Sequence, residues 1–255
     1  MIIDAHCHMG ISWFGFNRNK ITADDILRNY DKFGIEKGCL SSWEVAYDFE
    51  HGNQEVAQIC KEHPDRFIPF AIIAPRDRSE AVEMLERYVQ DYGFKGVKIH
   101  PSCNRFKVDS KWLMDPLMEK CKQYNLPVLT HAEANGYCHP SMIAALAQRH
   151  PDVNIIIAHM GDEGGNAWLD AVEAAKYNKN IYLDTTGVPN EVFIIPTAIA
   201  EVGAHKIVWG SDSPICSMKV EMDKILYADA FGFDVTQADK DMILGGTMAG
   251  LLGLK

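Results

Sequence analysis

The chain is most readily bounded by what it lacks. No apolar run reaches the roughly 18 to 20 residues of a membrane span, and the opening residues have neither the basic segment nor the long apolar core of a signal peptide. A cytoplasmic protein is therefore expected. No Lys/Arg-rich run offsets a formal charge of −10, from 25 basic and 35 acidic residues. That argues against nucleic acid or an anionic membrane as a partner held by a broad electrostatic patch, though not against a small anionic substrate. The seven cysteines, at positions 7, 39, 60, 103, 121, 138 and 216, are odd in number and show no CxxC spacing, so they read as reduced thiols and not as a disulfide framework. No low-complexity linker divides the sequence, and 255 residues that are 47% hydrophobic suit one domain spanning 1–255.

What is present is an alternation. Apolar, β-branched runs occur at Met1 to His6, Gly38 to Ser41, Phe67 to Ile73, Gly96 to His100, Val128 to His131, Asn154 to His159, Ile181 to Asp184 and Lys206 to Gly210. Their starts recur at the spacing of one strand, one helix and two loops, so eight units predict a single-domain α/β fold, a closed (β/α)8 TIM barrel. An open doubly wound sheet is the alternative. Thr22 with Asp25 predicts a capped helix through Phe33 before Gly34, and Ser79 to Tyr92 carries apolar residues at helical spacing before Gly93. Further helices are expected at Gln54 to Glu62, Lys111 to Tyr124, Pro140 to Arg149, Ala167 to Tyr177, Glu191 to Val202 and Glu221 to Ala230. The tail from Thr236 to Leu254, interrupted at Gly245-Gly246, reads as a C-terminal closing helix.

The histidines carry the chemistry. His6 and His8 are spaced by one residue on the first run, so on a strand they share a face about 6 to 7 Å apart, while Cys7 faces away. In an α/β barrel the functional groups sit at the C-terminal ends of strands. Five of the ten histidines, His6, His8, His100, His131 and His159, fall at those ends, as do Lys98 and, just past the last run, Asp212. His6, His8, His131 and Asp212 would supply three nitrogens and one oxygen to a divalent ion with a position left open. His159 would stand outside that shell as an acid or base. The plainer alternatives are a hydrogen-bonded core histidine for His159 and a helix-capping role for Asp212.

Five motifs give the chain a family resemblance: Asp4-Ala5-His6-Cys7-His8, Gly96-Val97-Lys98-Ile99-His100-Pro101, Thr130-His131-Ala132-Glu133, Ile157-Ala158-His159-Met160-Gly161 and Trp209-Gly210-Ser211-Asp212-Ser213-Pro214. Together they resemble the amidohydrolase superfamily, in the amidohydrolase-2 branch that also holds aminocarboxymuconate-semialdehyde decarboxylase. The resemblance implies the same barrel, the same metal set and His159 near a metal-bound water. At the tail, Gly246-Thr247-Met248-Ala249-Gly250 departs from the Gly-Asn-Ala and following Arg that members often show, which leaves the closure contacts there unsupported.

A metal such as zinc lowers the pKa of bound water from 15.7 to about 7 and polarises a carbonyl. The leading expectation is therefore a metal-dependent hydrolase acting on a C–O or C–N bond of a lactone, ester or amide, with Asp212 and His159 as catalytic groups. The alternatives are a non-oxidative decarboxylase of an unsaturated or aromatic acid, and a barrel that only binds. One zinc ion is the expected cofactor; manganese is the alternative ion, and a second metal on a carboxylated Lys98 the alternative stoichiometry. Lys98, His100, Arg105 and Trp13 are candidate substrate groups, and Asp4 is a candidate for orienting a ligating imidazole. A small organic acid or lactone is the expected partner, with a homodimer as the candidate assembly.

Overall fold

The computed structural model describes residues 1–11, 20–43, 48–161 and 167–254. Among these, the strands β1 (Ile3–Ile11), β2 (Lys20–Ile21), β3 (Lys37–Ser42), β4 (Phe67–Ile72), β5 (Gly96–Ile99), β6 (Val128–Thr130), β7 (Ile155–Ile157), β8 (Ile181–Asp184) and β9 (Ile207–Val208) form one nine-stranded sheet. The order is β2-β1-β3-β4-β5-β6-β7-β8-β9, with every pair parallel except β1 with β2. A strand order that follows the chain without reversal has no switch point, which rules out the doubly wound alternative. The sheet curls until its ends meet: Ala5 N donates to Trp209 O at 2.9 Å, Asp212 N to His6 O at 2.7 Å and His8 N to Ser213 O at 2.9 Å.

The helices are α1 (Ala23–Phe33), α2 (Phe49–Glu62), α3 (Ser79–Tyr92), α4 (Pro101–Asn104), α5 (Lys111–Tyr124), α6 (Pro140–Arg149), α7 (Trp168–Tyr177), α8 (Ile194–Val202), α9 (Met218–Leu226), α10 (Gln237–Asp241) and α11 (Thr247–Leu252). The capping box of Thr22 and Asp25 opens α1, and Gly34 ends it in the left-handed conformation, as expected from the sequence. The tail is less interrupted than its glycines suggest. A π-helical turn at Met242–Gly246 joins α10 to α11, and Gly245 lies so close to Met1 O that an added Cβ would sit 2.1 Å from it. No helix among the described residues is long and apolar enough to cross a membrane.

Burial divides into an outer layer, where Tyr30, Leu85, Met114 and Ile143 pack the helices on the sheet, and an inner cluster of Ile3, Ala5, Ile68, Phe70, Leu129 and Ile156. One detail of β1 changes a sequence expectation. Strict alternation puts Asp4 on the face of His6 and His8, but the register against β3 slips between Asp4 and Cys7. The extra residue in β1 flips the alternation, so Asp4 and Cys7 both reach the Tyr30 hydroxyl, at 3.0 and 3.1 Å.

Asn53, buried on α2, ties the helix to the strand beside the site. Its Nδ2 donates to Ile72 O at 2.9 Å and its Oδ1 accepts from Ile72 N at 2.8 Å, and Ile72 is in register with Lys98. Asn53→Ala leaves the N–H and the carbonyl of buried Ile72 without this partner. We expect it to cost about 2 to 4 kcal/mol, read as a lower urea midpoint at unchanged slope. A cost under about 0.5 kcal/mol would show that water replaces the side chain.

Candidate functional site

The C-terminal ends of the strands gather the predicted residues to different degrees. His6 and His8 project from β1 as expected, and their Nε2 atoms lie 3.0 Å apart. Asp212 Oδ1 stands 3.4 Å from His6 Nε2 and 3.2 Å from His8 Nε2. Donor atoms held about 2.0 to 2.2 Å from one ion at tetrahedral or right-angle geometry stand roughly 2.8 to 3.6 Å apart, so this trio fits a divalent cation.

Protonation reinforces the fit. The His6 Nδ1–H donates to Asp184 Oδ2 at 2.8 Å. His8 Nδ1 meets Ser41 Oγ at 3.0 Å, and that hydroxyl donates on to Cys7 O. With each Nδ1 proton engaged, both Nε2 lone pairs face the Asp212 carboxylate, and three electron-pair donors converge with the Lys98 ammonium, whose Nζ is 2.7 Å from His6 Nε2. Burial, followed by the charge of Lys98, pushes His6 well below the usual imidazole range, and burial also lowers His8, so both stay neutral as ligands must. Burial alone would raise Asp212. The imidazoles of His8 and His159 and the Lys98 ammonium around it outweigh that effect and hold the carboxyl below its ordinary value.

The remaining candidates separate. His131, after β6, stacks on His100 with ring centroids 3.8 Å apart; its tight donor group is with Glu133 and Cys138, whereas His6, His8 and Asp212 form another. It still lies near, with its ring 5.2 Å from that of His159. Burial lowers the pKa of His131 well below normal and also depresses that of His100, which caps α4 through Cys103 N. Arg105 is exposed at the C-cap of α4, and no hydrogen bond joins it to the histidines among the described residues. Trp13, Phe14, Phe16 and Arg18, Glu44 and Tyr47, and Asp162 to Gly165 lie outside the described residues.

Asp4 does not orient an imidazole. Its carboxylate accepts from the backbone of His6 at 3.1 Å, from Ser211 N at 2.8 Å and Ser211 Oγ at 2.5 Å, and from Tyr30, and burial raises it to about 7. The orienting carboxylate is Asp184, at the end of β8, which sequence reasoning took only as the end of a strand. Asp184 Oδ2 also accepts from Thr186 Oγ1 at 2.6 Å, and Thr186 accepts the Nδ1–H of His159 on its carbonyl at 3.1 Å. Burial raises the Asp184 pKa. The available signal was positional: an acid at the C-terminal end of a barrel strand stands where the ligands stand.

Two of these residues occupy strained backbone. His159 and Asp212 have φ of 59° and 46°, conformations that cost a non-glycine residue roughly 1 to 3 kcal/mol each. Nearby, Gly210 permits the close approach of His6 and Asp184, since a Cβ there would lie 2.7 Å from His6 Cβ and 3.0 Å from Asp184 Oδ1. A cavity of about 820 Å³ lies elsewhere, bounded by Lys37, Phe67 and Lys95 at the opposite ends of the strands.

A curled parallel sheet that brings two imidazoles and a carboxylate together at its C-terminal ends is the arrangement of the amidohydrolase superfamily. The chain belongs to the Amidohydrolase family, whose profile matches residues 3–254. It is 27% identical over 253 residues to gamma-resorcylate decarboxylase of Rhizobium sp. (strain MTP-10005), covering 75% of this chain and 76% of that one. In structure it is similar to 5-carboxyvanillate decarboxylase from Sphingomonas paucimobilis, with a TM-score of 0.77 at 18% identity over 100% and 99% of the two chains. It is likewise similar to dihydroxybenzoic acid decarboxylase from Polaromonas sp. JS666, solved with manganese and 2-nitroresorcinol, with a TM-score of 0.74 at 19% identity over 99% and 96%. These relatives correct the leading expectation: they are decarboxylases, and the reading of a hydrolase acting on C–O or C–N bonds is overturned.

His6→Ala and Asp212→Ala should each lower bound divalent metal, measured by elemental analysis after dialysis, by about tenfold or more. His159→Asn should keep its metal. Metal loss in His159→Asn would make His159 a ligand.

Proposed function

We propose that this protein is a metal-dependent, non-oxidative decarboxylase of a small aromatic or unsaturated carboxylic acid, built as one domain over 1–255 in which the curled sheet forms a closed barrel. The convergence of His6 Nε2, His8 Nε2 and Asp212 Oδ1 beside the Lys98 ammonium carries the reading. The character of the similar protein at 27% identity supports this chemistry over others that the same donors would serve.

In the reaction the bond between a substrate carbon and its carboxylate breaks, CO₂ departs and the electron pair left on carbon takes up a proton. A bound divalent ion, manganese or zinc, would act as a Lewis acid toward an anionic substrate oxygen. Lys98, buried, supplies a fixed positive charge to the same anion, which is worth far more away from water than at a surface. His159 holds the proton. Its Nδ1–H is held by Thr186 O, which leaves Nε2 as the nitrogen that would carry the proton to the substrate, and delivery to carbon is a general-acid step of a kind that contributes about 10²- to 10⁴-fold. His131, stacked on His100, would complete the donor set or wall the substrate; the two roles differ in whether His131→Ala releases metal.

The test is to assay manganese- and zinc-loaded protein against 2,6-dihydroxybenzoate, 5-carboxyvanillate and related hydroxybenzoates, following CO₂ release and the decarboxylated product by chromatography. Turnover should fall about tenfold or more on chelation, and about 100-fold or more in His159→Asn. Metal-loaded protein that releases CO₂ from none of these acids overturns the reading.

A further inference from the structure

Helix α9 carries an ion pair that no step of the proposed reaction uses. Lys224 Nζ donates to both carboxylate oxygens of Glu221 at 2.9 Å, with the two side chains only 11% and 4% exposed. Removing such charges from water costs several kcal/mol per ion, and the pair recovers that only if its remaining hydrogen-bonding capacity is used. Here it is used on the turn after β8. Glu221 Oε2 accepts from Gly187 N at 3.3 Å and Lys224 Nζ donates to Val188 O at 2.6 Å.

The turn meets His159 directly. Gly187 has φ +65°, and a Cβ there would lie 3.1 Å from His159 Nδ1, so its backbone is pressed against the imidazole. The N–H of Gly187 and the carbonyl of Thr186 are opposite ends of one planar peptide group. One end is held by Glu221, and the other accepts the His159 Nδ1–H at 3.1 Å. A carboxylate bonded to the N–H end both fixes the plane and polarises the carbonyl, strengthening it as an acceptor.

We propose that Glu221, with Lys224 as its counter-ion, is a positioning residue that sets the Thr186–Gly187 peptide and through it the tautomer and aim of His159. The proposal rests on His159 being the acid of the reaction above. In Glu221→Ala, kcat for the carboxylate turned over by the unaltered protein should fall about 10- to 100-fold, the scale of a misplaced catalytic group. KM and bound metal should stay within about twofold. The hydrogen-bonded Nδ1 proton of His159, followed in long-range ¹H–¹⁵N spectra of the purified protein, should shift or disappear. Glu221→Gln keeps an acceptor oxygen for Gly187 N–H and should recover kcat to within about fivefold of the unaltered protein. Should the alanine variant not fold, the double variant Glu221→Leu with Lys224→Met removes both charges without stranding one, and the same kcat loss is expected of it.

Unchanged kcat with an unchanged Nδ1 signal, alongside lowered thermal stability, would make the pair a structural clamp and overturn the proposal. Loss of metal in step with kcat would also overturn it. If the unaltered protein decarboxylates nothing, the proposed reaction fails alone, because the His159 Nδ1 signal in Glu221→Ala still decides the positioning role.

Discussion

A single carboxylate oxygen, Asp184 Oδ2, is the point on which the site depends. It accepts from the Nδ1 of His6 and the hydroxyl of Thr186, with the backbone N–H of His159 at 3.5 Å. The first bond turns the His6 lone pair toward Asp212, and the second fixes the residue that holds His159. The candidate ligand and the proposed acid are thus oriented by the same buried carboxylate, and neither ring can choose its tautomer alone. An anion with few donors would be costly at this depth. The Asp184 carboxylate is tolerable because its other oxygen also accepts, from Thr186 N at 3.1 Å.

The strained residues follow from the same constraint. His159 leaves β7 through left-handed backbone, and Asp212 enters the centre the same way just after β9. Each is fixed by bonds outside its own turn: His159 by Thr186, and Asp212 by its N–H to His6 O at 2.7 Å. Local conformation is sacrificed where a side chain must leave the strand direction and meet partners from elsewhere in the chain.

How much of this was legible in the sequence follows a physical line. Strand and helix order, the capped start of α1 and the glycine stops of α1 and α3 were legible because periodicity and capping act over a few residues. The two-residue β2 and the short α4 were not, since neither carries a period long enough to register. His6, His8 and Asp212 could be chosen because half of the ten histidines concentrate at the predicted strand ends and Asp212 follows the last of them. Asp4 and Asp184 could not be assigned correctly by the same means. A one-residue bulge turned Asp4 to the outer face, and nothing in the sequence near Asp184 shows that its neighbour in space is His6, 178 positions away. The kind of chemistry was harder still, since one donor set serves more than one reaction, and likeness to whole proteins is what favours one of them.

The seam where the sheet closes is also where the candidate metal donors meet. His6 and His8 lie on the first strand, and Asp212 follows the last; the backbone bonds that close the curl, from Ala5 to Ser213, bracket all three. An ion at that point would act as a clasp between the two ends of the sheet. Its binding energy would be shared with the step that brings the ends together, so occupancy and the integrity of the seam would be thermodynamically linked, each strengthening the other.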